Sequence, residues 1–126
     1  MGYREIYNGW KNDPEAFWMN AAEAIDWDKK PSKALFADRA PLYEWFCDSM
    51  VNTCYNAVDR HVLNGRADQK AIIYDSPMTD TQYSITFAEL LEKVASLAGA
   101  LASKGILKGD RVIIYMPMVP EGIISM

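Results

Sequence analysis

The segment that most restricts the fold is an unbroken apolar run, Val-Ile-Ile-Tyr-Met, at residues 112–116. A strand with one solvated face alternates apolar and polar side chains, so an unbroken run predicts a strand covered on both faces, as in a parallel sheet. Such a strand needs neighbouring strands and covering helices. Pro117 ends the run, and residues 119–121 (Val-Pro-Glu) predict the start of a helix. An α/β fold is therefore expected.

The residues before this run predict a β-hairpin and a helix. Residues 71–74 and 83–85 are rich in β-branched and aromatic side chains and are separated by a polar turn, which is typical of two antiparallel strands. Thr86 and Glu89 have the spacing of a capping box, apolar residues then recur at helical spacing, and Gly105 provides a stop. We expect this hairpin, helix and buried strand to begin a larger domain.

The first 50 residues carry an unusual aromatic load. Asp13, followed by Pro and Glu, predicts a helix start, and we expect that helix to reach about Trp27, with a surface loop over residues 28–41. A second amphipathic helix is predicted from Val51 to a stop at Gly65. Each ring can bury about 150–250 Å². The aromatic residues are Tyr3, Tyr7, Trp10, Phe17, Trp18, Trp27, Phe36, Tyr43, Trp45 and Phe46.

Composition excludes several kinds of protein. The 126 residues carry 13 Lys and Arg against 17 Asp and Glu without a basic block, which argues against nucleic-acid binding. No segment approaches the roughly 18 apolar residues of a membrane span, and the first ten residues do not resemble a secretory signal. Cys47 and Cys54 lack the spacing of a zinc site, so we expect reduced cysteines in the core or at its boundary, in a cytoplasmic protein without membrane partners.

The sequence alone offers no active site. Residues 59–61, Asp-Arg-His, place three polar groups together, but adjacent residues point to different faces of a helix. We therefore interpret them as a surface pair and a packed or capping histidine. The glycines match neither the Walker nor the Rossmann pattern. Four tryptophans, Trp10, Trp18, Trp27 and Trp45, are interpreted as core or interface anchors rather than as coenzyme-binding residues.

Four stretches together resemble one enzyme family. Residues 39–46, with Trp45-Phe46, and residues 51–61, ending Asp-Arg-His, resemble the N-terminal block of the acetyl-CoA synthetase-like family. Residues 85–90 and 108–118 are similar to two later stretches of AMP-forming acyl-CoA synthetases. Within that family, residues 71–79 resemble the propionate–CoA ligase branch more than the acetate branch. The resemblance covers nearly the whole chain.

The resemblance implies a two-step ligase reaction. ATP and a short carboxylate, with propionate favoured, would give an acyl-adenylate, and coenzyme A would then displace AMP to form the thioester. ATP, coenzyme A and Mg²⁺ are the implied cofactors of a full-length parent. The family's phosphate loop, nucleotide segment, acyl pocket and adenylation lysine match no residue here, so we assign no catalytic, cofactor-binding or metal-binding residue.

The resemblance also sets the expected organisation. Residues 1–65 are expected to form an acetyl-CoA synthetase-type helical, aromatic-rich region, and residues 66–126 to begin the AMP-binding domain of an adenylate-forming enzyme. We expect a scaffolding fragment, inactive alone, that self-associates through exposed apolar surface. Acetyl-CoA synthetase and a non-catalytic interaction module derived from the family remain the alternatives.

Overall fold

The computed structural model describes residues 2–126 and divides the chain into two compact units, Met1–Asn56 and Ala57–Met126. Both units mix helices with short strands, as the predicted α/β class requires. The domain boundary expected between residues 65 and 66 falls inside the second unit and stays a prediction.

The first unit begins with two helices, α1 (Tyr3–Asn12) and α2 (Pro14–Ala22). The Asp13 side chain accepts a hydrogen bond from the Ala16 N–H at 2.9 Å, so the predicted N-terminal cap is present. The helix is shorter than expected, because Trp27 lies in a strand and not in α2. The Trp27 indole N–H instead donates to the Ala22 carbonyl oxygen at 2.8 Å, which satisfies one carbonyl at the end of the helix.

Two pairs of short antiparallel strands complete the first unit. β1 (Trp27–Lys29) pairs with β4 (Met50–Val51), and β2 (Leu35–Phe36) pairs with β3 (Glu44–Trp45). The stretch expected to be a loop therefore contains strand residues at 28–29 and 35–36. The second predicted helix starts later than Val51, which belongs to β4, and contains two π-helical turns, Tyr55–Asp59 and Val62–Arg66.

The second unit contains the β-hairpin and helix expected from the sequence. β5 (Lys70–Ser76) and β6 (Thr81–Thr86) are antiparallel, and α3 (Phe87–Ser103) follows directly. The last helix is α4 (Pro120–Ser125). Gly105 adopts a φ of 84° just after α3, the left-handed conformation that ends many helices. Four buried side chains form the core, namely Val58, Ile72, Ile85 and Leu90.

The prediction of a buried strand at residues 112–116 is wrong in this structure. These residues form no regular strand, and all five side chains are exposed, Tyr115 to 98%. Among residues 2–126, the hairpin strands pair only with each other, so no strand accepts the segment as a neighbour. A strand exists through its partners' hydrogen bonds, and an apolar sequence cannot supply them by itself.

The cysteines also differ from expectation. Cys47 and Cys54 are reduced, as predicted, but both lie on the surface and not in a core. Cys47 follows the strand β3, Cys54 lies in the helical segment just before Tyr55, and the buried apolar side chains of the first unit, among them Ala22 and Ala34, lie elsewhere.

The start of α3 makes a testable electrostatic contribution to stability. The Thr86 hydroxyl accepts from the Glu89 N–H at 3.2 Å, and the Glu89 carboxylate accepts from the Thr86 N–H at 2.8 Å. These hydrogen bonds from Thr86 hold the pKa of Glu89 below its usual value of 4.5. The resulting stability is present above the unfolded pKa and is lost as the pH falls through the folded pKa.

We expect the free energy of unfolding to fall as the solution is acidified below about pH 4.5, with a smaller fall in Glu89→Gln. Urea denaturation followed by circular dichroism, repeated from pH 7 to pH 2.5, measures the difference. Glu92→Gln is the matched control on the same helix and should keep the wild-type pH dependence. Identical pH profiles for the wild type and Glu89→Gln would contradict the role of this carboxylate.

Candidate functional site

The first unit contains an aromatic pocket of about 520 Å³. Residues of α1, α2, β2 and β3 meet there, so helices and a strand pair fix its walls together. Its polar lining is confined to Glu15, and the remainder is apolar. The lining residues are Trp10, Pro14, Glu15, Trp18, Ala34, Leu35 and Trp45.

A continuous set of ring contacts includes two of the pocket's three tryptophans, Trp18 and Trp45. Trp18 and Trp45 meet edge to face, with ring centroids 5.6 Å apart and planes at 80°. Phe17 packs against Trp18 at 5.3 Å, and Phe46 packs against both Trp45 and Trp27, at 6.0 Å and 5.6 Å. Such pairs contribute about 0.5–1.5 kcal/mol beyond the area that they bury. One wall of the pocket is therefore part of a packed aromatic cluster.

Glu15 ties one wall of the pocket to the strand pair. Its Oε1 accepts a hydrogen bond from the Ala34 N–H at 2.6 Å, and the Ala34 carbonyl oxygen accepts from the Phe46 N–H at 2.9 Å. Hydrogen bonds to an ionised carboxylate are the stronger kind. Glu15 thus positions Ala34 and β3, and the pocket has no nucleophile among its lining residues.

The four tryptophans differ in their burial. Trp27 is partly buried and pairs with Val51 across β1 and β4, which fits its expected role as an anchor. Trp10, Trp18 and Trp45 remain more than a third exposed around the pocket. Their rings offer a surface for an apolar or planar group.

The polar cluster at residues 59–61 does not assemble into a catalytic group. The His61 ring packs 4.8 Å from the Phe87 ring, and its Nδ1 accepts a hydrogen bond from Arg66 Nη1 at 3.1 Å. The Arg66 guanidinium also lies 5.5 Å from the Phe87 ring centroid. His61 therefore packs over the first residue of α3, as a structural histidine would.

The second unit has an apolar groove of about 500 Å³ that sequence patterns did not indicate. Residues 72–75 of β5 line one side, and Ile114 with residues 116–120 lines the other. Gly122, Ile123 and Met126 complete it. These segments are about 40 residues apart in sequence. No local pattern reports a groove whose walls come from such distant segments.

Two negative findings apply to residues 2–126. No three His, Cys, Asp or Glu side chains among them are placed to hold a metal ion. None of the helices in this part of the chain has the length and hydropathy needed to cross a bilayer.

Family comparisons divide the chain close to the point where the structure does. Residues 3–57 match the family described as "Acetyl-coenzyme A synthetase N-terminus", and residues 59–126 match the family described as "AMP-binding enzyme". The division between the two structural units follows Asn56. Each matched family therefore coincides with one structural unit almost residue for residue.

Two proteins similar to this chain are named as acyl-CoA or acetyl-coenzyme A synthetases. "Acyl-CoA synthetase short-chain family member 3, mitochondrial" of Mus musculus is 53% identical over 90% of this chain and 17% of that protein. "Acetyl-coenzyme A synthetase" of Paraburkholderia phymatum is 41% identical over 98% of this chain and 19% of that protein. The chain thus spans less than a fifth of the length of these relatives.

A solved structure has the same fold over this region. "Acetoacetyl-CoA Synthetase from Streptomyces lividans" superposes with a TM-score of 0.83 and 26% identity, covering 99% of this chain and 19% of that one. The prediction that the chain adopts the fold of the N-terminal region of an adenylate-forming enzyme is confirmed. Because the AMP-binding match takes in more than half of the residues, the chain belongs to the family of AMP-binding enzymes and carries an acetyl-coenzyme A synthetase N-terminus.

Proposed function

We propose that this chain is part of a short-chain acyl-CoA synthetase that uses ATP to convert a carboxylate into an acyl-adenylate and then transfers the acyl group to coenzyme A. The observation that carries the proposal is the succession of two family matches, at residues 3–57 and 59–126, with the order and spacing of the structural units. A carboxylate is a poor acyl donor, and the adenylate supplies a good leaving group.

Within such an enzyme this chain acts as a scaffold. ATP, coenzyme A and Mg²⁺ belong to the proposed reaction, but the described residues do not fit a triphosphate site. The glycines are dispersed, and a Cβ atom added at six of the seven would meet no atom within 4 Å beyond its immediate surroundings in the chain, so they form no close backbone cradle. We therefore propose no catalytic, cofactor-binding or metal-binding residue among them.

The proposed substrate is propionate. Support comes from residues 71–79, which form most of β5 and the hairpin turn and resemble the propionate–CoA ligase branch. On the complete protein that contains this chain, we expect kcat/KM to be higher for propionate than for acetate. One methylene in an apolar acyl pocket is worth about 1–3 kcal/mol, or roughly 10–200-fold.

The measurement is steady-state thioester formation with each acid under identical ATP and coenzyme A concentrations. Butyrate serves as a third substrate that locates the upper size limit of the pocket. The second candidate function, acetyl-CoA synthetase, is favoured by the 41% identity to the Paraburkholderia phymatum protein of that name. A clear preference for acetate would select it and reject propionate.

Three further assignments accompany this function. We propose a cytoplasmic location, although the Mus musculus relative is named as mitochondrial. We also propose that residues 1–65 and 66–126 are two functional regions. Both π-helical turns then lie in the first region, except for Arg66, the last residue of the second turn. Self-association is proposed because large apolar side chains, including Ile113 and Tyr115, are exposed.

A further inference from the structure

The chain contains two asparagine–glycine pairs, Asn8-Gly9 and Asn64-Gly65. In such a pair the backbone nitrogen of the glycine can attack the side-chain carbonyl carbon of the asparagine. The N–H proton and the side-chain amide nitrogen leave as ammonia, and water opens the resulting succinimide to aspartate or isoaspartate. Glycine favours the attack because no Cβ atom obstructs its nitrogen and its backbone rotates freely. By sequence alone the two pairs are equally reactive.

The two pairs differ in backbone conformation and not in exposure, since both asparagines are exposed. Asn8 and Gly9 lie inside α1, where regular hydrogen bonds fix the backbone, and the Asp13 N–H donates to the Gly9 carbonyl oxygen at 3.1 Å. Asn64 and Gly65 lie within the second π-helical turn but have non-helical dihedral angles, with φ of −88° and ψ of 19° at Asn64. The helical backbone is therefore interrupted at this pair.

Less regular structure opposes the reaction at the interrupted pair. Closure of the succinimide requires the asparagine to rotate about its Cα–C bond, and in a continuous helix that rotation breaks hydrogen bonds on both sides of the residue. At Asn64 the helical ladder is already irregular, so a smaller local opening is enough. A Cβ atom added at Gly9 or Gly65 would meet no other part of the protein within 4 Å, so packing hinders neither pair.

The residue that follows the second pair connects its helical segment to α3. Arg66 Nε donates to Gln69 Oε1 at 2.7 Å, and Arg66 Nη1 donates to His61 Nδ1 at 3.1 Å. The guanidinium also lies 5.5 Å from the ring centroid of Phe87, the first residue of α3. A carboxylate formed at residue 64 would compete for this guanidinium, because hydrogen bonds between two charged groups are the stronger kind. Isoaspartate would in addition lengthen the main chain by a methylene group.

We propose that Asn64 is a site of spontaneous deamidation in this chain, and that its conversion weakens the contacts of Arg66 with His61 and Gln69. Asn8 is protected from the same reaction by the continuous helix α1. The reaction consumes only water and releases ammonia. It therefore requires no ligand or partner and does not depend on the proposed ligase function.

Tryptic peptide mapping of the 126-residue chain tests the site, because cleavage places each pair in its own peptide, residues 5–11 and residues 61–66. The folded chain is incubated at mildly alkaline pH, and the converted fraction of each peptide is measured by mass spectrometry over time. We expect residues 61–66 to convert several-fold faster than residues 5–11. In concentrated urea the two rates should approach each other, since α1 is then unfolded. Equal rates in the folded chain, or faster conversion of Asn8, would overturn the proposal.

Two glutamine variants serve as a matched pair. Asn64→Gln should remain unconverted in residues 61–66, because glutamine must close a larger ring, whereas Asn8→Gln should convert there like wild type. Converted wild-type chain is separated from unconverted chain by anion exchange, since it carries an additional negative charge. Its amides in residues 66–70 should exchange hydrogen several-fold faster, while those of α1 stay unchanged. Unchanged exchange in residues 66–70 would overturn the proposed weakening of the Arg66 contacts.

Discussion

Replacing Leu90 with alanine is expected to destabilise the second unit by about 2–5 kcal/mol. Leu90 is 6% exposed and belongs to the four-residue core, in which it joins α3 to the hairpin and to Val58. A domain of this size has a total stability of roughly 4–10 kcal/mol, so the loss takes up much of it. Urea denaturation, monitored by hydrogen exchange of α3 amides, measures the free energy of opening.

Leu107→Ala is the matched control for this prediction. Its side chain is 74% exposed just after α3, so removing the same atoms should change the free energy of unfolding by less than about 0.5 kcal/mol. A loss of unfolding free energy below about 1 kcal/mol for Leu90→Ala, or no larger than that for Leu107→Ala, would contradict the prediction. The four-residue core would then not be a main source of the second unit's stability.

The 126-residue chain is expected to show no ATP–pyrophosphate exchange with propionate, whereas the complete protein should exchange readily. The proposed reaction needs groups that bind a triphosphate, and the described residues of this chain do not fit that role. The expected difference is the full catalytic effect, which for enzymes is many orders of magnitude. Radiolabelled pyrophosphate incorporated into ATP is a direct readout.

The preparation must be free of the expression host's own synthetases, and for that reason a mock purification from the same host is run in parallel. Exchange above the mock level, dependent on added propionate, would show that this chain carries adenylation residues and would overturn the scaffold proposal. Absence of exchange from the complete protein as well would favour the non-catalytic interaction module instead.

Elements set by neighbouring residues were predictable from the sequence. The caps at Asp13 and Thr86 formed as expected because both partners lie within one helical turn. The hairpin between β5 and β6 also formed, since its strands are adjacent in the chain and need no other partner. Gly65, the predicted helix stop, adopts the left-handed conformation with φ of 78° and interrupts the helical backbone there, although the π-helical turn that contains it continues to Arg66.

Elements that depend on distant residues were not predictable. Residues 112–116 have every local property of a buried strand, yet burial requires neighbours that a local pattern cannot specify. Trp27 lies in β1 and not in the predicted helix, because it pairs with Val51, which is distant in the sequence. The same limit applies to the candidate sites. Aromatic content indicated that Trp18 and Trp45 would pack, but the pocket between them depends on two helices and a strand pair meeting.

All four tryptophans lie in the first unit, and the second unit has none. Tyrosine contributes little at the long-wavelength end of the emission spectrum. The fluorescence measured there therefore comes only from the first unit, residues 1–56. The edge-to-face pair of Trp18 and Trp45 should add coupled indole bands to the near-ultraviolet circular dichroism of that unit. A fluorescence melt of the unmodified chain can thus follow the unfolding of the first unit alone, without an added label.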